Sequence, residues 1–234
     1  MIDQILSEPR ILIALSMLVT ASVMDLKKRE VHDLVWIVSG SIGVIMYFVE
    51  PNLVHNLVPL LFASSFSVAL AYLAYRVGLF ASADALALVA LAVIIPLYNG
   101  PNMFHGIAPL TILTNAAVLA SLFLIFNIVR NTISVAKGIP LFADFNEPMW
   151  KKVIAFVVAY RANKPSFAYP VEIESGIGKK FNFSLIHAEE ADYCMKPGSW
   201  VMAGLPFIVY MLAGLVAMLF VGDIMMSLLG KFLM

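Results

Sequence analysis

The chain is poor in cysteine and in charge. Of its 234 residues, one is a cysteine, Cys194, and 13% are charged. A single cysteine excludes an internal disulfide and any zinc site built from paired cysteines. The formal net charge is zero, so charge implies no nucleic-acid partner. No GxSxG, HExxH or phosphate-loop motif is present, and the histidines show no metal-ligand spacing, so we predict no metal and no cofactor.

Hydrophobic residues are abundant. They make up 62% of the chain, and the mean hydropathy is +0.92, whereas soluble domains are roughly 45–50% apolar. A membrane span needs about 20 mainly apolar residues. The sequence therefore predicts an all-α polytopic membrane protein with six transmembrane helices. The predicted spans cover residues 11–24, 34–49, 57–80, 84–98, 107–129 and 200–221.

The basic residues predict the orientation. With six spans, thirteen of the 15 Lys and Arg residues fall on one side, and only Arg10 and Lys231 fall on the other. Cytoplasmic loops collect Lys and Arg, so both termini are expected outside the cell membrane. The chain then divides into five helices in residues 1–129, a cytoplasmic segment in 130–199, and a last helix with its tail in 200–234.

The cytoplasmic segment carries short alternating patterns. Residues 168–174 and 180–186 alternate polar and apolar side chains around Gly176-Ile177-Gly178, which predicts a β-hairpin. The apolar run Val153–Tyr160 fits either a strand or a helix on the membrane surface. We therefore expect a small β-containing segment before the last helix.

Two aspartates stand at the ends of predicted spans. Asp25 follows the first span and Asp84 opens the fourth, and the predicted orientation puts both at the cytoplasmic face. A carboxylate at the edge of hydrocarbon is costly and indicates function. Taken alone, Asp25 also fits a solvated helix end, and Asp84 also fits a helix cap. Together they fit a carboxyl pair that shares one proton, as in aspartic proteases. Asp33 fits a cap or interface residue, and Asp223 is expected to be solvated.

The same residues resemble a family. Asp25 precedes the basic stretch Lys27-Lys28-Arg29, Asp33 enters the second helix, and Ala81-Ser82-Ala83-Asp84 stands where a Gly-x-Gly-Asp motif opens the fourth. This arrangement resembles the type IV prepilin peptidases, and the archaeal preflagellin peptidases most closely. The departures are alanines in place of both motif glycines and Leu86 where a lysine is frequent. The zinc-binding cysteines of many bacterial members are absent, which favours an archaeal, peptidase-only enzyme.

The resemblance implies an activity. Such enzymes are membrane aspartic endopeptidases that remove short basic leader peptides from pilin-like or archaellin precursors at the cytoplasmic face. Asp25 and Asp84 are then the catalytic pair. We expect the backbone of Ala81, Ser82 and Ala83 to lie against the substrate, and Asp33 to occupy a recurrent polar position beside it. Acidic residues between 172 and 192, among them Glu189, Glu190 and Asp192, could meet the basic leader.

Two other interpretations stay open. A proton-coupled transporter could use the two aspartates as a relay, and it predicts further polar residues along the spans and paired repeats. A non-catalytic membrane platform for pilus or archaellum assembly predicts that both aspartates are replaceable. The oligomeric state and the identity of the precursor do not follow from the sequence.

Overall fold

The architecture comes from a computed structural model that describes residues 8–49, 53–164, 167–175, 178–183 and 192–232. The chain forms two compact units. Unit 1 consists of Met1–Leu119 with Pro206–Met234, and unit 2 of Ala120–Leu205. The described residues are mostly helical, with a small strand-containing segment inside unit 2.

Eight helices are found in the described residues. They are α1 (Pro9–Lys28), α2 (Leu34–Tyr47), α3 (Leu53–Arg76), α4 (Ser82–Ile94), α5 (Ala108–Ala136), α6 (Met149–Val158), α7 (Phe207–Phe220) and α8 (Ile224–Phe232). Five short strands lie between α6 and α7: β1 (Tyr160–Ala162), β2 (Ala168–Pro170), β3 (Glu172–Ser175), β4 (Gly178–Phe181) and β5 (Ser199–Ala203).

Helix length does not support six spans. Three described helices are long and apolar enough to cross a membrane: α1, the Asn56–Arg76 part of α3, and α5. A fourth candidate is α7 with α8, bent by 65° at a short break. The predicted second and fourth spans form helices of 14 and 13 residues. At 1.5 Å per residue these reach about 20 Å, which is less than a hydrocarbon core of about 30 Å.

Prolines account for two of the boundaries that the predicted spans missed. The α4 helix ends at Ile94 because Pro96 disfavours a helical conformation for Ile95, whose φ is −137° and ψ is 69°. The predicted sixth span begins at Trp200, but residues 199–203 form β5 and the helix starts only after Pro206. The helix in this region, α7, therefore begins later than predicted.

The core of unit 1 lies between α1, α4, α5 and α7. Small side chains let these helices approach closely, as is common in membrane bundles. In α7, any Cβ added at Gly214 would meet the α5 backbone at Ile112 and Ala116. At the break after α7, Gly222 has a φ of +93°, a conformation that favours glycine. Large apolar side chains on α2 and α3 face outward, as expected for helices in contact with lipid.

Unit 2 has a separate aromatic core. Its sheet has the order β1-β5-β2, with both pairs antiparallel, and β3 pairs with β4 in the register Glu172 to Phe181. Trp200 is stacked on Phe142 at 5.0 Å, and its indole N–H donates to the Leu141 carbonyl at 3.2 Å. The predicted hairpin is confirmed for residues 172–175 and 178–181, whereas 168–170 joins the other sheet. Residues 184–186 lie outside the described part.

Candidate active site

Asp25 lies in the last turn of α1, on the face that points to the core of unit 1. Ala14, Leu18 and Ala21, at helical spacing before it, are all fully buried. Asp25 as a whole is half-buried. The helix ends at Arg29, which adopts a left-handed conformation with φ 58°, and its backbone N–H donates to the Asp25 carbonyl at 3.0 Å. Arg29 is four positions after Asp25, a spacing that brings opposite charges together on a helix.

Asp84 is the third residue of α4, and it caps this helix. Ala81 precedes the helix in an extended conformation and has no side-chain acceptor, so Asp84 Oδ2 accepts a hydrogen bond from the Ala81 N–H at 3.3 Å. Ala87 and Leu88, one turn further on, are fully buried in the core of unit 1. The capping role considered for Asp84 is therefore found, and the hydrogen bond to Ala81 holds the Asp84 carboxylate against the α4 N-terminus.

The two aspartates lie at the same end of a pair of antiparallel helices. The α1 and α4 helices are in contact. At the start of α1, Arg10 Nη1 donates to the Ile94 carbonyl, at the end of α4, over 2.9 Å. The end of α1, with Asp25, therefore lies on the side of the start of α4, with Asp84. Whether the two carboxyl groups act as one pair stays a prediction.

Asp33 lies at this end as well. The far end of α2 lies against the far end of α4, because the Tyr47 hydroxyl donates to the Val93 carbonyl at 2.9 Å. Asp33 precedes the first residue of α2 and is exposed, and its side chain makes no capping hydrogen bond. His32 supplies a hydrogen-bond acceptor at the start of α2 instead, because its Nδ1 accepts from the Leu34 N–H at 3.2 Å.

The small residues before Asp84 form a tight entry to α4. Ala83 packs against the core of unit 1, while Ser82 is exposed. Just before them, the Phe80 ring lies 5.4 Å from the Phe207 ring at the start of α7. The backbone at Ala81 is thus fixed between the core and the capping carboxylate of Asp84. The predicted contact of these residues with a substrate stays a prediction.

The structure describes only some of the acidic residues that were expected to meet a basic leader. Glu172 is largely enclosed in unit 2, where its Oε1 lies 2.7 Å from Lys179 Nζ. It is therefore already paired within its own unit. Asp192 is exposed. Glu189 and Glu190 lie outside the described residues.

A second polar cluster was not predicted from the sequence. Asp223, expected to be solvated, is 1% exposed and lies at the break between α7 and α8. Its Oδ2 is 3.4 Å from His105 Nε2, and its Oδ1 accepts from the Met226 N–H at 2.9 Å. Next to it, buried Asn115 donates to the Gly222 carbonyl at 2.9 Å. No pattern in the sequence links these positions, because the chain must fold before they meet.

Metal ligands are not clustered in the described ranges. No group of three or more His, Cys, Asp or Glu side chains there could hold a metal ion. The Asp25 end of α1 and the start of α4 carry the carboxyl groups of Asp25 and Asp84, with the cationic Arg29 four residues after Asp25.

No protein-family model matches the chain, and no curated protein matches it either.

Proposed function

We propose that this chain is a membrane aspartic endopeptidase that removes short basic leader peptides from pilin-like or archaellin precursors. One observation carries the proposal: Asp25 and Asp84 lie at the same end of two contacting antiparallel helices. Each aspartate is at helical spacing from core-facing positions of its own helix, and both residues are half-buried. The resemblance of the surrounding residues to prepilin peptidases supplies the substrate class.

The proposed topology keeps six membrane-crossing segments. In it, α2 and α4 cross together with their longer neighbours, although each alone is shorter than the hydrocarbon core. A short α4 would place Asp84 below the headgroups, where water can reach it from the cytoplasm. This topology leaves both termini outside and puts the aspartates at the cytoplasmic face. The Lys and Arg residues of the loops on that side favour this orientation.

Peptide hydrolysis by such a pair needs one ionised and one protonated carboxyl. Two carboxylates in close contact do not both ionise, so they share a proton. The ionised carboxylate takes a proton from a water molecule, whose oxygen then bonds to the scissile carbonyl carbon. The protonated carboxyl gives its proton to the carbonyl oxygen. When the tetrahedral intermediate collapses, the C–N bond breaks, the departing nitrogen receives a proton from the protonated carboxyl, and the other carboxylate takes a proton from a hydroxyl of the intermediate, so the pair again shares one proton.

The test is cleavage of a pilin-type precursor in membranes by single-residue variants. Asp25→Asn and Asp84→Asn keep the side-chain shape but cannot take part in proton transfer, and we expect each to lower the cleavage rate by about 100-fold or more. The matched control is Glu30→Gln, which neutralises an exposed carboxylate close to Asp25 in the chain. Its rate should stay near that of the wild type.

Two results of this assay would contradict the proposal, one for the carboxyl pair and one for the substrate class. Near-normal cleavage by either asparagine variant, with normal membrane insertion, would remove the carboxyl pair from the mechanism. No cleavage of archaellin-type or pilin-type precursors by the wild type would contradict the proposed substrate class.

The second candidate function is a proton-coupled transporter. The buried Asp223, with the partly exposed His105 beside it, and the bent α7–α8 segment favour it, because broken helices with buried ionisable residues mark ion pathways in transporters. The cleavage assay distinguishes it: a peptidase needs Asp25 and Asp84 but not the Asp223 charge, so Asp223→Asn should still cleave if it folds.

A further inference from the structure

The exposed face of α6 is entirely apolar, although the helix belongs to the polar part of the chain. Met149, Trp150, Val153 and Ile154 are 74%, 59%, 55% and 39% exposed, and Val157 lies between them on the same face. The opposite face carries the fully buried Ala155. Exposure of an apolar helix face to water is unfavourable, so an apolar environment has to cover this face.

Two lysines flank the apolar face. At about 100° per residue, Lys151 and Lys152 fall on either side of it, roughly 130° from its centre. Both are half-exposed. Lys151 pairs with Glu147 at 3.0 Å, whereas no salt bridge is found for Lys152 in the described residues. This pattern, with Trp among the apolar residues and lysines at the margins, is typical of helices lying in a membrane interface.

The attachment of α6 places it near the end of a membrane span. Asn131 Nδ2 donates to the Phe156 and Ala159 carbonyls, both at 2.8 Å, and so holds the end of α6 against α5. The α5 helix has 29 residues and is about 43 Å long, which exceeds a hydrocarbon core of about 30 Å. Asn131 lies in its last two turns, where a spanning helix leaves the core. A span formed by the preceding residues of α5 would put the contact between Asn131 and α6 at the depth of the headgroups.

We infer that α6 is an interfacial helix that docks on the bilayer itself. Its apolar face inserts at the boundary between headgroups and acyl chains, and Lys151 and Lys152 meet the phosphates of anionic lipids. The occupant is the lipid surface, because the end of α6 is hydrogen-bonded to the last turns of α5, a candidate membrane span, and the two lysines beside the apolar face carry charge complementary to anionic headgroups. This role is independent of the peptidase activity.

Spin labelling of the full chain tests this inference. Cys194 is buried and is the single cysteine, so a Cys194→Ser background accepts one new label site at a time. The test site is Val153→Cys. Ile125→Cys on the exposed face of α5 is the lipid reference, and Lys180→Cys on β4 is the water reference. The label's collision rates with oxygen and with a water-soluble nickel chelate are measured in vesicles of phosphatidylcholine with phosphatidylglycerol.

The expected result is a Val153 label that collides with oxygen several-fold more, relative to nickel, than the Lys180 label does. A Val153 label that matches the Lys180 label would overturn the inference. Low access to both reagents would also overturn it and would indicate a covering protein. Spin–spin broadening that disappears on dilution with unlabelled chain would identify that cover as a second copy.

The charge of the headgroup gives a separate readout. The depth of the Val153 label should increase when phosphatidylglycerol replaces part of the phosphatidylcholine, and Lys152→Glu should reduce that increase. The control is Lys180→Glu, which makes the same charge change on β4 and should leave the increase unchanged. The preference for anionic lipid would be overturned if the Val153 label, with Lys152 unchanged, lay at the same depth with and without phosphatidylglycerol.

Discussion

At the scale of one residue, Asp223 is buried although its sequence position predicts that it is solvated. Its position at the end of an apolar run predicts a solvated carboxylate, but the structure buries it at the break between α7 and α8. There it caps α8 through the Met226 N–H and faces His105. The burial depends on a loop that is distant in sequence, so hydropathy along the chain could not reveal it.

The stability of unit 1 should therefore depend on Asp223. Asp223→Ala leaves the Met226 N–H without its capping acceptor and His105 without its carboxylate, so we expect the free energy of unfolding to fall by about 2 kcal/mol. Asp223→Asn keeps an acceptor for the N–H and should lose less. Thermal unfolding in detergent measures both, with Asp192→Ala as the exposed control. Equal melting temperatures for Asp223→Ala and the control would contradict the role described for this residue.

At the scale of elements, the start of α4 joins a capping role to the proposed catalytic one. The Ala81 N–H has Asp84 as its acceptor, so Asp84→Ala should lower the free energy of unfolding by about 1 kcal/mol. Asp84→Asn can still accept this hydrogen bond and should be nearly as stable as the wild type, although we expect it to be inactive. Asp33→Ala is the matched control, because Asp33 makes no capping hydrogen bond at α2.

Thermal unfolding in detergent compares these variants as well. If Asp84→Asn lost as much stability as Asp84→Ala, the hydrogen bond to Ala81 would not be the stabilising contact. Loss of activity in Asp84→Asn could then reflect a displaced α4, so the two measurements belong together.

Hydropathy predicted the positions of the long helices and of the shorter α2 and α4, but it could not distinguish β5 from the start of α7. The α1, α3 and α5 helices contain long apolar runs, which define them without tertiary information. Trp200 and Val201 belong to an apolar run too, but they form β5, because a short apolar run fits a strand as well as a helix. The end of α4 at Ile94 follows from Pro96, so this boundary could have been predicted from the sequence.

At the scale of the whole molecule, the relation between Asp25 and Asp84 depends on membrane topology and on how the helices of unit 1 are oriented. The count of basic residues predicts that Asp25 and Asp84 share one face of the membrane. Within unit 1, the Arg10–Ile94 and Tyr47–Val93 hydrogen bonds orient the helices so that the two residues lie at one end. These long-range contacts join opposite ends of the helices, so no local pattern in the sequence could have predicted them.

The most direct test of the account is therefore the proximity of positions 25 and 84 in the membrane-inserted chain. Asp25→Cys and Asp84→Cys are combined in the Cys194→Ser background and treated with a short bismaleimide, and fragment masses after proteolysis report the cross-link. Asp25→Cys with Phe104→Cys is the negative control, since the exposed Phe104 follows the opposite end of α4. The account predicts a cross-link between positions 25 and 84 and none in the control pair. Labelling of both cysteines without a cross-link between them would contradict it.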